Sequence, residues 1–352
     1  MRQITSPSFK LAAFVLAAVA TAAAAAAAPT YRIELVPKGN GIVPTSAYAI
    51  SDNGNIAGYG RLSGSKTTAT FLAPHGGKPV VMDGSQSAGS GRIDVNDAGE
   101  VTGNHLDHQS VQGALWLADG TLVDLGTLAG CDAFKPLDYT SPGGLNGPGD
   151  VLFHLHCSRQ GVAIDAPVVW QQGTLSVLPT LGGTHTYSSD LNDAGQVAGS
   201  SEQADGSRRA FIWHNGTMTS LGTLGGLNSY GSAISELGHV AGSSSLADGS
   251  SRTFLHDGSV MHELPLCEGK RAIEPVGVTT DDLVVGVYGS RQNRRTALIQ
   301  NGQCQLLTTH LDASGPSWTN LSARGVNNHG VIVGEGDYLG QQRAFKATPI
   351  GR

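Results

Sequence analysis

The chain is expected to be all-β: a seven-bladed β-propeller with four antiparallel strands per blade, closed by an N-terminal strand that joins the last blade. Three observations carry this expectation. A glycine-centred motif recurs seven times, at spacings of 43–50 residues. Between copies lie short apolar runs bounded by turn signals, with no window of useful length at the helical period. The last copy stops after its third run, at Phe345, while an unpaired apolar run stands ahead of the first copy. Four short strands per repeat of ~40–45 residues is the pattern of a propeller blade.

The motif is an apolar residue, Asn, two residues, Gly, one residue, an aliphatic, one residue and a second Gly. It is cleanest at Val95 to Gly103 and at Leu191 to Gly199. In weaker copies Ser51, Asn146, Ser235, Thr279 and Asn327 stand at the Asn position. The first glycine falls at Gly54, Gly99, Gly149, Gly195, Gly238 and Gly330, with Asp282 as the substitute in the sixth copy. A polar loop follows, then an aromatic-rich run such as Ala210 to Trp213 or Ala114 to Trp116. Dipeptides such as Asn215-Gly216 and Asp119-Gly120 then mark a hairpin turn into a fourth run, Met218 to Leu224 or Leu122 to Leu128. Trp116, Trp170 and Trp213 share one position in their copies and belong to the core. Because a ring must close, Ile33 to Val36 is expected to supply the missing fourth strand of the last blade, an offset that a stacked solenoid would not need.

Composition narrows the class. With 49 Gly and 15 Pro in 352 residues and 14% charged, the chain is neither low-complexity nor a charged disordered polymer. A net charge of -6 offers no footprint for nucleic acid. Arg2 and Lys10 precede an uncharged run from Leu11 to Ala28 that ends in small residues, the pattern of a secretory signal peptide over residues 1–28. An uncleaved anchor is the alternative, disfavoured because alanine is weakly apolar. Residues 29–352 then form one seven-repeat domain with no further membrane span, exported to the periplasm or beyond and acting as a monomer. In an exported chain Cys131, Cys157, Cys267 and Cys304 are disulfide candidates. Three pairings are open, and Cys131–Cys157 with Cys267–Cys304 is preferred because each joins neighbouring segments. Four free buried thiols are the alternative.

The phrases Asp124 to Leu128 and Ser220 to Gly226, the Asn-x-x-Gly-x-Val-x-Gly core and Arg209 to Trp213 together resemble the bacterial extracellular HAF repeat family. The resemblance covers most of Tyr31 to Phe345. Arg209 and Arg343 stand where that family has the His of its His-Ala-Phe triplet. It implies an exported repeat protein and brings no catalytic residues with it.

Binding residues are expected on the face carrying the long, variable loops Leu62 to Thr68, Asn104 to Gln112, Ser200 to Arg208, Ser243 to Arg252 and Gly289 to Arg295. Tyr48, Tyr187, Tyr230 and Trp318 could form an aromatic platform there, against packing between blades. His105, Asp107 and His108 cluster in one loop as a second possibility, against plain loop polarity. His154 and His156 read as a buried, hydrogen-bonded pair. Asp94 and Asp190 faintly suggest calcium loops, but Ala98 and Ala194 leave out a ligand, and turn capping explains them better. No catalytic signature, metal site or cofactor motif is present. The leading reading is a non-enzymatic module that binds a glycan, peptide or surface partner through the long-loop face. The alternative is a propeller hydrolase or lyase drawing on His105, Asp107, His108, His310 and Asp312 at the channel mouth.

Overall fold

A computed structural model describes residues 29–85, 91–107, 110–132, 139–269, 271–290 and 293–351; the expected signal segment, residues 1–28, lies outside them. The chain opens with β1 (Thr30–Leu35), and the first blade follows as β2 (Ile42–Ile50), β3 (Ile56–Leu62), β4 (Thr68–Ala73) and β5 (Val80–Val81). The second is β6 (Asp94–Val95), β7 (Val101–Asp107), β8 (Ser110–Trp116) and β9 (Leu122–Asp124), followed by the short helix α1 (Leu125–Ala129). Blade three holds β10 (Tyr139–Leu145), β11 (Val151–Arg159), β12 (Val162–Gln171) and β13 (Thr174–Val177). Blade four holds β14 (Gly182–Leu191), β15 (Val197–Gln203), β16 (Arg208–His214) and β17 (Thr217–Ser220). Blade five is β18 (Ser229–Ile234), β19 (Val240–Ser245), β20 (Ser251–His256) and β21 (Met261–Glu263). Blade six is β22 (Glu274–Val278), β23 (Val284–Tyr288), β24 (Arg295–Gln300) and β25 (Gln303–Leu306). Blade seven is β26 (Trp318–Val326), β27 (Ile332–Tyr338) and β28 (Gln341–Ile350).

Its fourth strand is β1. Tyr31 pairs with Pro349, Ile33 with Ala347 and Leu35 with Phe345, so the sheet runs β1-β28-β27-β26. The side chains explain why the closure holds. Tyr31 and Ile33 sit in one core cluster with Phe345, and Val36 sits in the cluster of blade one. Two disulfides join the expected neighbours, Cys131–Cys157 and Cys267–Cys304, across 26 and 37 residues of sequence. Loops of that size withdraw on the order of 3–4 kcal/mol of unfolded-chain freedom each.

The motif's residue types follow from one turn made seven times. In every copy the N–H at the Asn position donates to the carbonyl four residues on, and the N–H at the first-Gly position donates back. The residue at that Gly position has φ between 60° and 95° in all seven, Asp282 included, which is why glycine is preferred there. The side-chain oxygen at the Asn position accepts the N–H of the residue four on, as in Asn96 to Glu100 (3.0 Å), Ser235 to His239 (3.2 Å) and Thr279 to Leu283 (3.1 Å). Asn, Ser and Thr therefore interchange because each brings one acceptor oxygen to the same place.

The second glycine answers a different demand. A Cβ on Gly58, Gly199, Gly242 or Gly334 would stand 2.0–2.1 Å from a carbonyl oxygen of the inner strand, which bulges at this level. The partner across the ladder is a phenylalanine in all four: Phe71, Phe211, Phe254 and Phe345. Blade three reverses the arrangement, with Phe153 on the second strand opposite Val168 on the third. The ring moves to the neighbouring strand and the volume stays filled.

Three expectations need correction. Three of the five expected loops are shorter than expected, because β7 runs to Asp107 and β8 starts at Ser110, β15 ends at Gln203 and β16 begins at Arg208, and β19 ends at Ser245 and β20 begins at Ser251, whereas the loops at Leu62 to Thr68 and Gly289 to Arg295 fall where expected. The fourth runs are also shorter than expected. Leu122 to Leu128 is strand only to Asp124 and then turns into α1, which drops Leu125 and Ala129 into the core of blade three. Finally, His154 and His156 are not buried, with side chains 28% and 37% exposed, and His154 makes a hydrogen bond to Asp165 at 2.8 Å, while His156 Nδ1 stands 3.4 Å from the same carboxylate.

Candidate functional site

The innermost strands of the seven blades enclose a channel with two unlike ends. At the end formed by the motif turns lies a cavity of about 490 Å³, with lining residues from every blade. Its rim carries Asp52, Asp97, Asp193 and Glu236, and deeper in the wall stand Asp94, Asp190 and Arg92.

Most of these groups are fasteners between blades. Asp97 accepts the N–H of Asn53 (2.8 Å), Asp193 that of Gly147 (2.6 Å), Glu236 that of Asp193 (2.9 Å) and Asp52 that of Asn328 (2.8 Å). One step inward, the motif amides do the same work in the other sense. Nδ2 of Asn96, Asn146, Asn192 and Asn327 donates to the carbonyl of the following blade's Asn-position residue, at 2.9–3.2 Å. Where Ser51 cannot, Asn55 donates to Asn96 instead. Between blades five and six, which lack the amide, His239 Nδ1 meets Asp282 Oδ1 at 2.7 Å. Asp94 and Asp190 likewise accept the N–H groups of Leu145 and Ile234 one blade on, and Arg92 reaches Asp190 at 3.3 Å. In the motifs that suggested calcium loops, Asn96 and Asn192 cap the turns, whereas Asp94 and Asp190 bond the next blade.

So many carboxylates in one mouth perturb each other. Burial pushes Asp94 up to about 6 against the pull of Arg92, and burial also raises Asp190. Glu236, exposed at the rim, rises to about 7 through partial desolvation, with Asp193, Asp190 and Asp52 adding repulsion, and solvent screening reduces its share of the stability change. The folded chain thus holds these protons more tightly than the unfolded chain. Their contribution to stability is full below about pH 4, and that of Asp94 and Glu236 is lost as pH rises through 6–7. His256, whose pKa burial lowers, works in the opposite sense below pH 6.5, but it is one group against three. The Tm is expected to rise by roughly 2–4 °C between pH 7.5 and pH 5. Thermal melts of Asp94→Asn should show a flatter profile; a Tm that falls across this interval would contradict the assignment.

The other end of the channel is formed by the starts of the innermost strands. Here three tyrosines on consecutive blades are well exposed: Tyr139 on β10 (42%), Tyr187 on β14 (45%) and Tyr230 on β18 (39%). Tyr139 lies parallel to His156 with ring centroids 5.1 Å apart. His154 and His156 share the carboxylate of Asp165, at 2.8 Å and 3.4 Å, which holds that carboxyl below its usual range. The Arg208 guanidinium lies 4.8 Å from the Tyr187 ring centroid and also pairs with Glu202 at 3.0 Å. Thr184, Arg208 and His185 together lower Glu202 to about 2. At the levels of Tyr187 and Tyr230, blades one and seven have the buried Ser46 and Ser322 instead.

The structure divides the residues expected to form a site. Tyr187 and Tyr230 occupy equivalent exposed positions on neighbouring blades. Tyr48 lines the opposite, turn-side mouth, edge-on to Tyr59 and covered by Arg324 at 5.2 Å. Trp318 is core, 6% exposed and packed on Tyr338 and Phe345. His105 is 5% exposed and bonded to Asp124 at 2.9 Å. Asp107 ends β7, and His108 lies outside the described residues. His310 and Asp312 sit at the outer edge of blade seven, where Asp312 bonds Arg32 and the backbone of Tyr31 on β1. They lie apart from His105, which is bonded to Asp124 on β9 of blade two. Tyr139 was missed, although it too is an aromatic residue opening an inner strand.

Seven four-stranded blades around a channel define a β-propeller. Among solved structures the chain is similar to the β-propeller domain of the Trilobed protease from Pyrococcus furiosus (TM-score 0.57, 7% identity, 89% of this chain and 97% of that one). It is also similar to virginiamycin B lyase from Staphylococcus aureus (TM-score 0.54, 11% identity, 91% and 100%). At such identities the likeness is one of fold alone. No protein-family model and no curated protein matches the sequence. Among the described residues no helix is long and apolar enough to cross a membrane, and no group of three or more metal-ligating side chains could hold an ion.

Proposed function

We propose that the chain, exported as residues 29–352 and of the HAF repeat kind, is a monomeric, non-enzymatic binding module whose site is the channel mouth opposite the motif turns. One observation carries this reading. The residues that repeat are absorbed in holding the ring together, whereas the exposed aromatic residues that depart from the repeat cluster on blades three to five at the other end. Exposed aromatic area on a rigid scaffold is what a recognition surface uses.

The test is a mixed array of glycans and peptides probed with residues 29–352. Tyr187→Ala/Tyr230→Ala is expected to lose the signal and Asp97→Asn, at the other mouth, to keep it. Loss with Asp97→Asn alone would move the site to the turn side and end this reading.

A further inference from the structure

We infer that the ligand of this mouth is an uncharged oligosaccharide that lies across blades three to five; this rests on the placement of the site just proposed. A saccharide ring presents an apolar C–H face and a rim of hydroxyl groups, so its receptor needs flat apolar faces beside hydrogen-bonding atoms that carry no net demand for charge.

The three tyrosines supply the faces. Each lies on the innermost strand of its own blade, so a ligand touching all three must extend across blades. Tyr139 is aligned by its stack on His156 and Tyr187 by the Arg208 guanidinium, so little ring freedom remains to be lost on binding. Both rings nevertheless keep more than two-fifths of their surface exposed.

The charged groups beside the rings are already matched. Arg208 is paired with Glu202, which also receives Thr184 and His185; Asp165 is shared by His154 and His156. An anionic ligand would have to displace Glu202 or Asp165, and a cationic one Arg208 or the imidazoles. A hydroxyl-rich neutral ligand can add to these networks, since carboxylates and imidazoles accept and donate further hydrogen bonds without separating their pairs. The contrast with the turn-side mouth, rimmed by four carboxylates, lies within the same molecule.

The experiment is isothermal titration of residues 29–352 with cellohexaose, xylohexaose and mannohexaose, beside a heparin hexasaccharide and an oligolysine peptide, at 50 and 500 mM NaCl. At least one neutral hexaose is expected to bind, with an affinity that salt leaves unchanged within twofold because no ion pair is formed or broken. Tyr187→Ala and Tyr230→Ala should each weaken it tenfold or more, and Tyr187→Phe should retain it. These side chains are exposed, so the variants are expected to keep the parent Tm. Tyrosine-dependent binding of heparin or oligolysine with no neutral sugar bound would overturn the ligand class and leave the site standing. A neutral sugar bound equally by all the tyrosine variants would overturn the site itself. No binding of any neutral hexaose at millimolar concentration would overturn the saccharide assignment.

Discussion

Replacing Gly199 with valine is expected to leave the chain without a stable native ring at 25 °C. A Cβ at this position falls 2.1 Å from the carbonyl oxygen of Tyr187 and 2.9 Å from the Phe211 ring. Neither neighbour can retreat. Tyr187 is held in the bulged ladder between β14 and β15, and Phe211 is fully buried in the core of blade four. Two further methyl groups must then be placed in a core that has no room for them. The cost is expected to exceed about 4 kcal/mol, a large share of the 5–15 kcal/mol that separates a typical domain from its unfolded state. Gly206→Ala is the contrast: φ is 81° there but nothing stands within 4 Å of the added atom, so only backbone strain of about 1 kcal/mol is at issue. Thermal melts of the two variants should differ by many degrees. Equal losses would show that close approach of the strands is not what the second glycine serves.

Removing residues 29–36 is expected to be as damaging by a different route. The deletion takes away the strand that closes blade seven. It uncovers the places of Tyr31, Ile33 and Val36, which are 0%, 3% and 1% exposed. At roughly 1.5–3 kcal/mol for each buried apolar side chain, the loss is on the order of 5–8 kcal/mol. It also leaves β28 as a bare edge, a template for pairing with other chains. The truncated chain should therefore aggregate or melt far below the parent. A synthetic peptide of residues 29–37 added during refolding should restore a soluble monomer. A truncated protein with the parent Tm would show that β1 is an ornament on an already closed ring.

Much of this scaffold was legible in the sequence because it depends on local turn chemistry. The seven left-handed turn residues stand at a fixed place in the motif, the closing strand is the run missing from its last copy, and the cysteine pairs join neighbouring segments. The candidate site was only partly legible. Alternation along a strand tells which residues share a face, but the innermost strands bulge, as between Ser188 and Asp190 and between Gly231 and Ala233. Each bulge exchanges the two faces, so spacing alone could not separate the open Tyr187 and Tyr230 from the buried Trp318. Tyr48 failed for another reason: Arg324, far away in sequence, lies over its ring. The ring of amides and carboxylates was hidden as well. A motif of Asn and Asp followed by Gly reads as a turn, and nothing in one copy reveals that its amide reaches the next copy.

The two ends of the channel divide the labour, one holding the ring together and the other open to a ligand, and one paired measurement tests that division. Asn192→Ala removes the amide that bonds Gln196 and the Ser235 carbonyl, while Tyr187→Ala/Tyr230→Ala removes only exposed rings. Tm, and the dissociation constant of the neutral hexaose that the parent binds most tightly, should be measured for both at 15 °C. The Asn192 variant is expected to lose about 2–3 kcal/mol of stability and to bind like the parent, since a buried carbonyl and N–H lose their partners far from the tyrosines. The tyrosine variant is expected to melt like the parent and to bind at least tenfold more weakly. A tyrosine variant that loses stability and keeps its affinity, or an Asn192 variant that does the reverse, would contradict the account.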